Sequence, residues 1–332
     1  MRELRHRGTA TSMLRRSSRA PVHQNGIALV LVLWLTVLLT VIGGGFAYTM
    51  RNEALAARNS MSLTQAQTIA DGAIYRTAFE LLKPHNSPDV WSPDGQVHAW
   101  TEDNVRVLVN AWDESGKIDL NTASEGLMTG LLKAVGGLDD ATAAQVMDAI
   151  QDWRDPDDLR RPNGAEAADY ESAGRHYKPA NAPFETVAEL QRVLGVTPAL
   201  YAQIADSLTV YSRAPGINAP YAPRAALLAI PGATPEMVDM YITQRQDAIA
   251  ARMPAPPFPV SVASGTPQGV WRIRAEVAAE DGTSFIREAV VRQSPQPKRP
   301  LLILLWREGD RRMLAEPPPR TADEGTSGNR KS

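Results

Sequence analysis

Six acids crowd one short stretch of this chain. Residues 152–169 read DWRDPDDLRRPNGAEAAD. Asp155, Asp157, Glu166 and Asp169 fall where Pro156, Pro162, Asn163 and Gly164 interrupt regular structure. Such a loop offers only carboxylates and backbone carbonyls, a donor set suited to a hard cation with about six to eight oxygen ligands. Asp152 and Asp158 stand beside the four as substitute ligands or as neighbours that hold the ligands in place. The spacing is not that of an EF-hand, and a solvated acidic loop is the plainer reading of the same residues. Other chemistry finds less to work with. The chain has no cysteine, which excludes disulfides, thiolate metal sites and a cysteine nucleophile. Its five histidines include no pair at metal-ligand spacing. His176 lies among Arg175, Tyr177 and Lys178 with no serine motif beside it, and His85 and His98 fall in loop-like sequence. No nucleophile, base and orienting group are brought together by spacing, so the expectation is a protein that is not an enzyme.

The second site with chemical content is a junction near the start. Residues 1–26 carry six Arg against one Glu, a net of +5, and since the whole chain carries −2 the remainder carries −7. Ile27–Tyr48 follows without a charged residue. At 1.5 Å per residue this run reaches about 33 Å, enough to cross the hydrocarbon core of a bilayer. The basic leader keeps residues 1–26 cytoplasmic and sends the rest of the chain across. An ordinary cleaved signal has a shorter apolar run, of about 7–15 residues, followed by a small-residue cleavage site. Gln24-Asn25-Gly26 directly before Ile27-Ala28-Leu29-Val30 resembles instead the type IV prepilin class. That resemblance implies cleavage between Gly26 and Ile27 by a membrane-embedded aspartyl peptidase, methylation of Ile27, and retention of the apolar helix. An uncleaved signal anchor is the alternative. Most pilins carry Glu as the fifth residue after the cut; here that residue is Leu31.

These sites have to be held by the elements around them. From Arg51 to Lys83 there is no Pro. Ala66, Ile69, Ala70, Ala73, Ile74, Thr77 and Leu81 recur at helical spacing as one apolar stripe. Lys83-Pro84 ends the pattern. Gly43-Gly44-Gly45 marks either a bend or a set of lipid-facing small residues, at about 1 kcal/mol per Gly relative to Ala. His85–Trp100 reads as loop. Val105, Val107, Val109 and Ala111 then alternate with Arg106, Leu108, Asn110 and Trp112 as a strand. Residues 118–250 are helical in pattern, and between 101 and 170 there are 15 Asp and Glu against 6 Lys and Arg. A stiff PAPPFP linker occupies residues 254–259. Strand alternation resumes at Trp271, Ile273, Ala275 and Val277, turns at Asp281-Gly282, continues through Phe285–Arg292, and returns once more at Leu301–Trp306. Residues from 311 on are polar and Pro-rich, with the composition of a disordered tail.

Strand pattern thus flanks a helical block on both sides, which predicts an α+β domain interrupted by an all-α insertion. The expected division is a leader over 1–26, a transmembrane helix over 27–50, a first core segment over 51–112, an inserted α-domain over 113–255, a second core segment over 256–310 and a tail over 311–332.

Within the insertion two segments share a layout. Ile118–Ala123, a helix, Val135–Asp140 and a helix over Ala141–Trp153 match Ile217–Ala219, Ala225–Ala229, Ile230–Pro235 and a helix over Glu236–Ala248. Each resembles a helix-hairpin-helix (SAM-like) unit. Such units can present backbone N–H groups to a phosphate, a use that favours Gly-x-Gly in the hairpin. Here Asp139 follows Gly137 at that offset and Thr234 follows Gly232. Asp139 and Asp140 put negative charge where a phosphate would lie, so structural use is expected and nucleic-acid binding is not. A membrane-anchored helix-hairpin-helix protein for DNA binding or uptake remains the alternative function.

Taken in order, several motifs resemble the minor pseudopilin K of type II secretion systems, the GspK family. They are Gly26-Ile27-Ala28-Leu29, Lys117-Ile118-Asp119-Leu120-Asn121, Asp152-Trp153-Arg154-Asp155-Pro156-Asp157, Gly164-Ala165-Glu166, and Pro179-Ala180-Asn181-Ala182-Pro183-Phe184 leading into Val187-Ala188-Glu189-Leu190. The resemblance runs from about Gly26 to Trp306. It implies a type IV pilin-like fold, a long N-terminal helix on a small antiparallel sheet, carrying a large inserted helical domain. It further implies a place at the tip of a short periplasmic pseudopilus anchored in the bacterial inner membrane. The implied partners are minor pseudopilins I and J, with H and the major pseudopilin G beyond them, and the prepilin peptidase. It also implies calcium near the acidic loop, with Asp155, Asp157, Glu166 and Asp169 as ligands. The chain departs from the family pattern at Ala167, where an acid ordinarily follows the Glu. Like Leu31 here, the family lacks Glu at the fifth mature position.

Overall fold

The computed structural model describes residues 25–84, 90–102, 104–251, 253–260 and 269–309. The leader up to residue 24 and the tail beyond 309 lie outside the described residues. Two units divide the chain, residues 1–60 and 61–332.

One helix, α1 (Asn25–Leu81), contributes to both. In the first unit its residues are exposed, from Leu29 onward. It is long and apolar enough to cross a membrane. The helix runs unbroken through Gly43-Gly44-Gly45, where nothing lies within 4 Å of an added Cβ at any of the three. These glycines do not interrupt the helix, and they leave an open surface.

In the second unit the far part of α1 buries the predicted stripe. Ala66, Ala70, Ala73, Ile74, Thr77 and Leu81 are buried, and Ile69 packs against the same core. Their partners are the alternating apolar residues of an antiparallel sheet. It is built from β1 (His98–Glu102) and β2 (Val105–Asp113), and from β5 (Val270–Ala279), β6 (Ser284–Gln293) and β7 (Leu301–Glu308) later in the chain, in the order β1-β2-β5-β6-β7. Val105, Val107, Val109 and Ala111 meet Ile273, Ala275 and Val277 and the helix in one core. β2 and β5 are neighbours although far apart in sequence, in register from Val105 against Ala279 to Asp113 against Trp271. His98 belongs to β1, not to a loop. Its ring stacks on Trp91 at 3.8 Å, and its strand pairs with β2.

Between Asp113 and Val270 the chain leaves the sheet and builds a second core. A short β3 (Ile118–Asp119) pairs in parallel with β4 (Leu208–Thr209). Around this pair lie α2 (Glu125–Ala134), α3 (Asp140–Arg154), α4 (Ala167–Ser172), α5 (Pro198–Ile204), α6 (Arg224–Leu228) and α7 (Pro235–Ala250). The expectation of pure helix over 118–250 therefore needs correction. Asp119 explains the strand pair: its carboxylate accepts from the backbone of Asn121, Thr122 and Arg213, fixing the chain in an extended turn beside β4. The turns α2–α3 and α6–α7 each place a glycine at positive φ, Gly137 at 68° and Gly232 at 87°, where a Cβ would be strained. A third turn of this kind precedes α5. Thr197 caps α5 ahead of Pro198 just as Thr234 caps α7 ahead of Pro235. Asp139 is the N-cap of α3 and accepts from Thr142 N at 2.8 Å, so its carboxylate already occupies the helix N-terminus. In the proline linker, Phe258 meets Tyr241 edge to face at 5.0 Å.

The two cores are joined by a buried ion network. Glu114, fully buried, sits where β2 ends. It receives Arg272 Nε from β5 at 2.8 Å, lies 3.3 Å from Lys117 Nζ, and accepts from the Thr209 hydroxyl of β4. Arg272 also pairs with Glu288 of β6, which Arg307 of β7 reaches at 3.0 Å. Burial alone would raise the Glu114 carboxyl; the Arg272 and Lys117 charges beside it outweigh that and hold it at about 2.

Candidate metal centre

The acidic loop hangs from the end of α3. That helix turns Trp153 and Asp152 inward and exposes its opposite side. Trp153 stacks near Phe184 at 6.2 Å and meets Tyr170 of α4 at 5.9 Å, so the chain on both sides of the loop is pinned to α3 by aromatic packing. Asn121 clamps Phe184 in both directions, donating to its carbonyl at 3.0 Å and accepting from its N–H at 2.8 Å. Asn181 donates to Asp157 O and to Asp158 Oδ1. At Gly164 the backbone comes so close to Asp152 that an added Cβ would lie 1.9 Å from its Oδ2; only glycine allows that approach.

The sequence-selected acids take different positions in this frame. Asp152 is fully buried and accepts from Arg161 N at 3.2 and 3.3 Å. Asp155 caps the C-terminus of α3, and its Oδ1 is buried without a hydrogen-bond partner. Glu166 is the N-cap of α4 and is 7% exposed; its side chain faces the Asp169 N–H in a capping box, but neither buried carboxylate oxygen has a donor within hydrogen-bond distance. Asp157 is exposed, and its Oδ1 accepts from Leu159 N. Asp169 is committed elsewhere: its Oδ2 accepts from Glu166 N at 2.9 Å and lies 3.4 Å from Arg160 Nε. Burial, followed by the charges of Asp152, Asp155, Asp158 and Asp157, pushes the Glu166 carboxyl up to about 7. Burial likewise raises Asp152 and Asp155.

Among the described residues no three acids or imidazoles converge as a metal-holding group. The donors nonetheless fit a hard cation in kind. A buried carboxylate with two unpartnered oxygens, facing further carboxylates, lacks positive charge. Asp155 and Glu166 carry the unpartnered oxygens and Asp152 is buried with them, while Asp157 is exposed with its Oδ1 on the Leu159 N–H. The sequence had grouped Asp169 with them because spacing does not reveal a helix cap.

An apolar helix whose second half is laid on an antiparallel sheet, with a mainly helical block between two paired strands, defines a mixed α+β protein with a candidate membrane anchor. Residues 104–214 match the family described as type II secretion system (T2SS), protein K. The type II secretion system protein K of Klebsiella pneumoniae is 25% identical over 231 residues, covering 62% of this chain and 69% of that one. A chain in the crystal structure of the GspK-GspI-GspJ complex from the enterotoxigenic Escherichia coli type 2 secretion system superposes with a TM-score of 0.60 at 13% identity, over 76% of this chain and 99% of that one. Both sequence likenesses are to type II secretion system protein K, and the structural one shows a shared fold.

Proposed function

We propose that the chain is a minor pseudopilin at the tip of the type II secretion pseudopilus. There it initiates or caps assembly and so supports export of folded proteins across the outer membrane. The observation that carries this reading is the helical block between β2 and β5 of the sheet on which α1 packs. A block of this size is too bulky to repeat at every level of a thin helical fibre, so it suits a subunit present in few copies. Leu31 supports the same place. In an ordinary pilin the Glu at this position neutralises the terminal ammonium of a neighbour, because a buried unpaired charge is costly. A subunit with none ahead of it loses nothing by lacking that Glu.

The fold is then pilin-like, with helix-hairpin-helix-like pairs serving as scaffold rather than as a nucleic-acid surface. The chain is a structural subunit and not an enzyme. It is cut between Gly26 and Ile27 and methylated at Ile27. It crosses the inner membrane once with its start cytoplasmic and its bulk periplasmic. Calcium is held by Asp155, Glu166 and Asp157 with Asp152 behind them, and it would supply the positive charge this loop lacks. Minor pseudopilins I and J are the direct partners, since the similar E. coli structure is a complex of GspK with GspI and GspJ; H and the major pseudopilin G lie further down the fibre. Co-expression with the host's own I and J pseudopilins tests the reading: the three should co-elute from size-exclusion chromatography as one complex. Elution of this chain apart from both would count against it.

A further inference from the structure

Among the described residues the five-stranded sheet ends on β1 at one side and on β7 at the other, and the two edges are unlike. β1 is five residues long and presents Ala99, Thr101 and Glu102 to solvent. Short length and charge are the usual guards of an edge against pairing with another strand. β7 lacks both. It is eight residues long, runs Leu301-Leu302-Ile303-Leu304-Leu305-Trp306, and carries no charge before Arg307. None of its residues is buried, and Leu302 and Ile303 are 44% and 47% exposed. Its register against β6 passes over Leu304 as a bulge. Gly309 donates its N–H to Ile286 O at 3.0 Å, while Glu308 and Arg307 stand opposite Arg287 and Glu288. Hydrogen-bonded and non-hydrogen-bonded pairs alternate along an antiparallel ladder. The N–H groups of Gly309, Arg307 and Leu305 therefore point to β6, and those of Glu308 and Trp306 point outward. The apolar surface continues onto the helix: Trp306 meets Tyr75 of α1 at 5.6 Å, and Tyr75 and Phe79 are exposed. The approach to the strand is basic, with Lys298 and Arg299 both exposed just before it.

We infer that the outer edge of β7 is a strand-addition site for an extended segment of a partner protein, one whose apolar residues are followed by acids. An added strand pairs with the outward backbone groups, and its alternate side chains cover the apolar ones. Antiparallel pairing is the commoner arrangement, and it sets the C-terminal end of the segment beside the start of β7. Acids at that end meet Lys298 and Arg299. The site depends on neither the tip reading nor the calcium reading.

The test uses the full-length chain in detergent and a fluorescein-labelled peptide, Thr-Val-Thr-Val-Thr-Asp-Glu, followed by fluorescence anisotropy. Wild type should bind it. A counterpart ending in Lys-Lys should bind at least about threefold more weakly at low salt, with the gap closing as salt rises. Ile303→Lys should weaken binding of the acid-ended peptide by at least about tenfold, a loss that repulsion of the acids cannot explain. Thr101→Lys on β1 should leave it within about twofold of wild type. Hydrogen exchange resolved to single amides should slow at Trp306 and Glu308 when the peptide is bound. No binding by wild type, or binding without slowing at those two amides, overturns the proposal. So does slow exchange of both amides in the free protein, because the edge is then covered by the chain itself or by a second copy.

Discussion

Replacing Glu114 by Gln should destabilise the protein by about 3–5 kcal/mol, the cost of removing one member of a buried ion network. Glu114 is fully buried and is the common partner of Arg272, Lys117 and Thr209. Without its charge, Lys117 loses its ion pair, and Arg272 keeps only Glu288. Urea unfolding of the full-length chain in detergent reads the effect. Arg307→Gln is the contrast: that side chain is 55% exposed, so removing its pair with Glu288 should cost no more than about 1 kcal/mol. Equal effects of the two substitutions would contradict the network as described. The same carboxylate gives a pH dependence. Its pKa is depressed from 4.5 to about 2 in the folded protein. The folded state therefore binds this proton less tightly than the unfolded one. Its stabilisation is complete above about pH 4.5 and is lost as the pH falls toward 2. A melting temperature that stays level from pH 6 to pH 3 would speak against it.

An all-or-none effect is expected at the other end of the chain. Gly26 and Ile27 lie at the start of α1 as its described residues run. A peptidase must take the scissile bond out of the helix, and glycine favours that opening by about 1 kcal/mol over alanine. Co-expression with a prepilin peptidase should shorten the chain by residues 1–26, seen as a mobility shift and a new N-terminus by mass spectrometry. Gly26→Ala should be cleaved at most in part, and Gly26→Val should abolish the shift. An unshifted wild-type chain would mean that the leader stays as an uncleaved anchor.

Periodicity carried much of the architecture into the sequence. The stripe from Ala66 to Leu81 and the alternation at Val105–Ala111 and Trp271–Val277 are local patterns, and each maps onto the face it buries. The polar face of the sheet was not legible in the same way. Arg272, Arg274 and Glu276 read as a simple alternation, yet Arg274 is 1% exposed and Arg272 is paired within the protein. Arg272 meets Glu114 from 158 positions away, and no local pattern records such a pairing. At the acidic loop the sequence located the acids but could not sort them. Burial separates Glu166 from Asp157, and a helix cap withdraws Asp169. Arg161 had no distinguishing spacing at all; its position near Asp152 and Asp155 depends on how the loop folds back on α3.

The tip assignment is tested most directly by locating the chain in purified pseudopili with a gold-labelled antibody to the 113–255 block. The account predicts label at one end of each fibre and nowhere along the shaft. It also predicts that Leu31→Glu leaves this distribution and secretion nearly unchanged. Label at regular intervals along the shaft would contradict it.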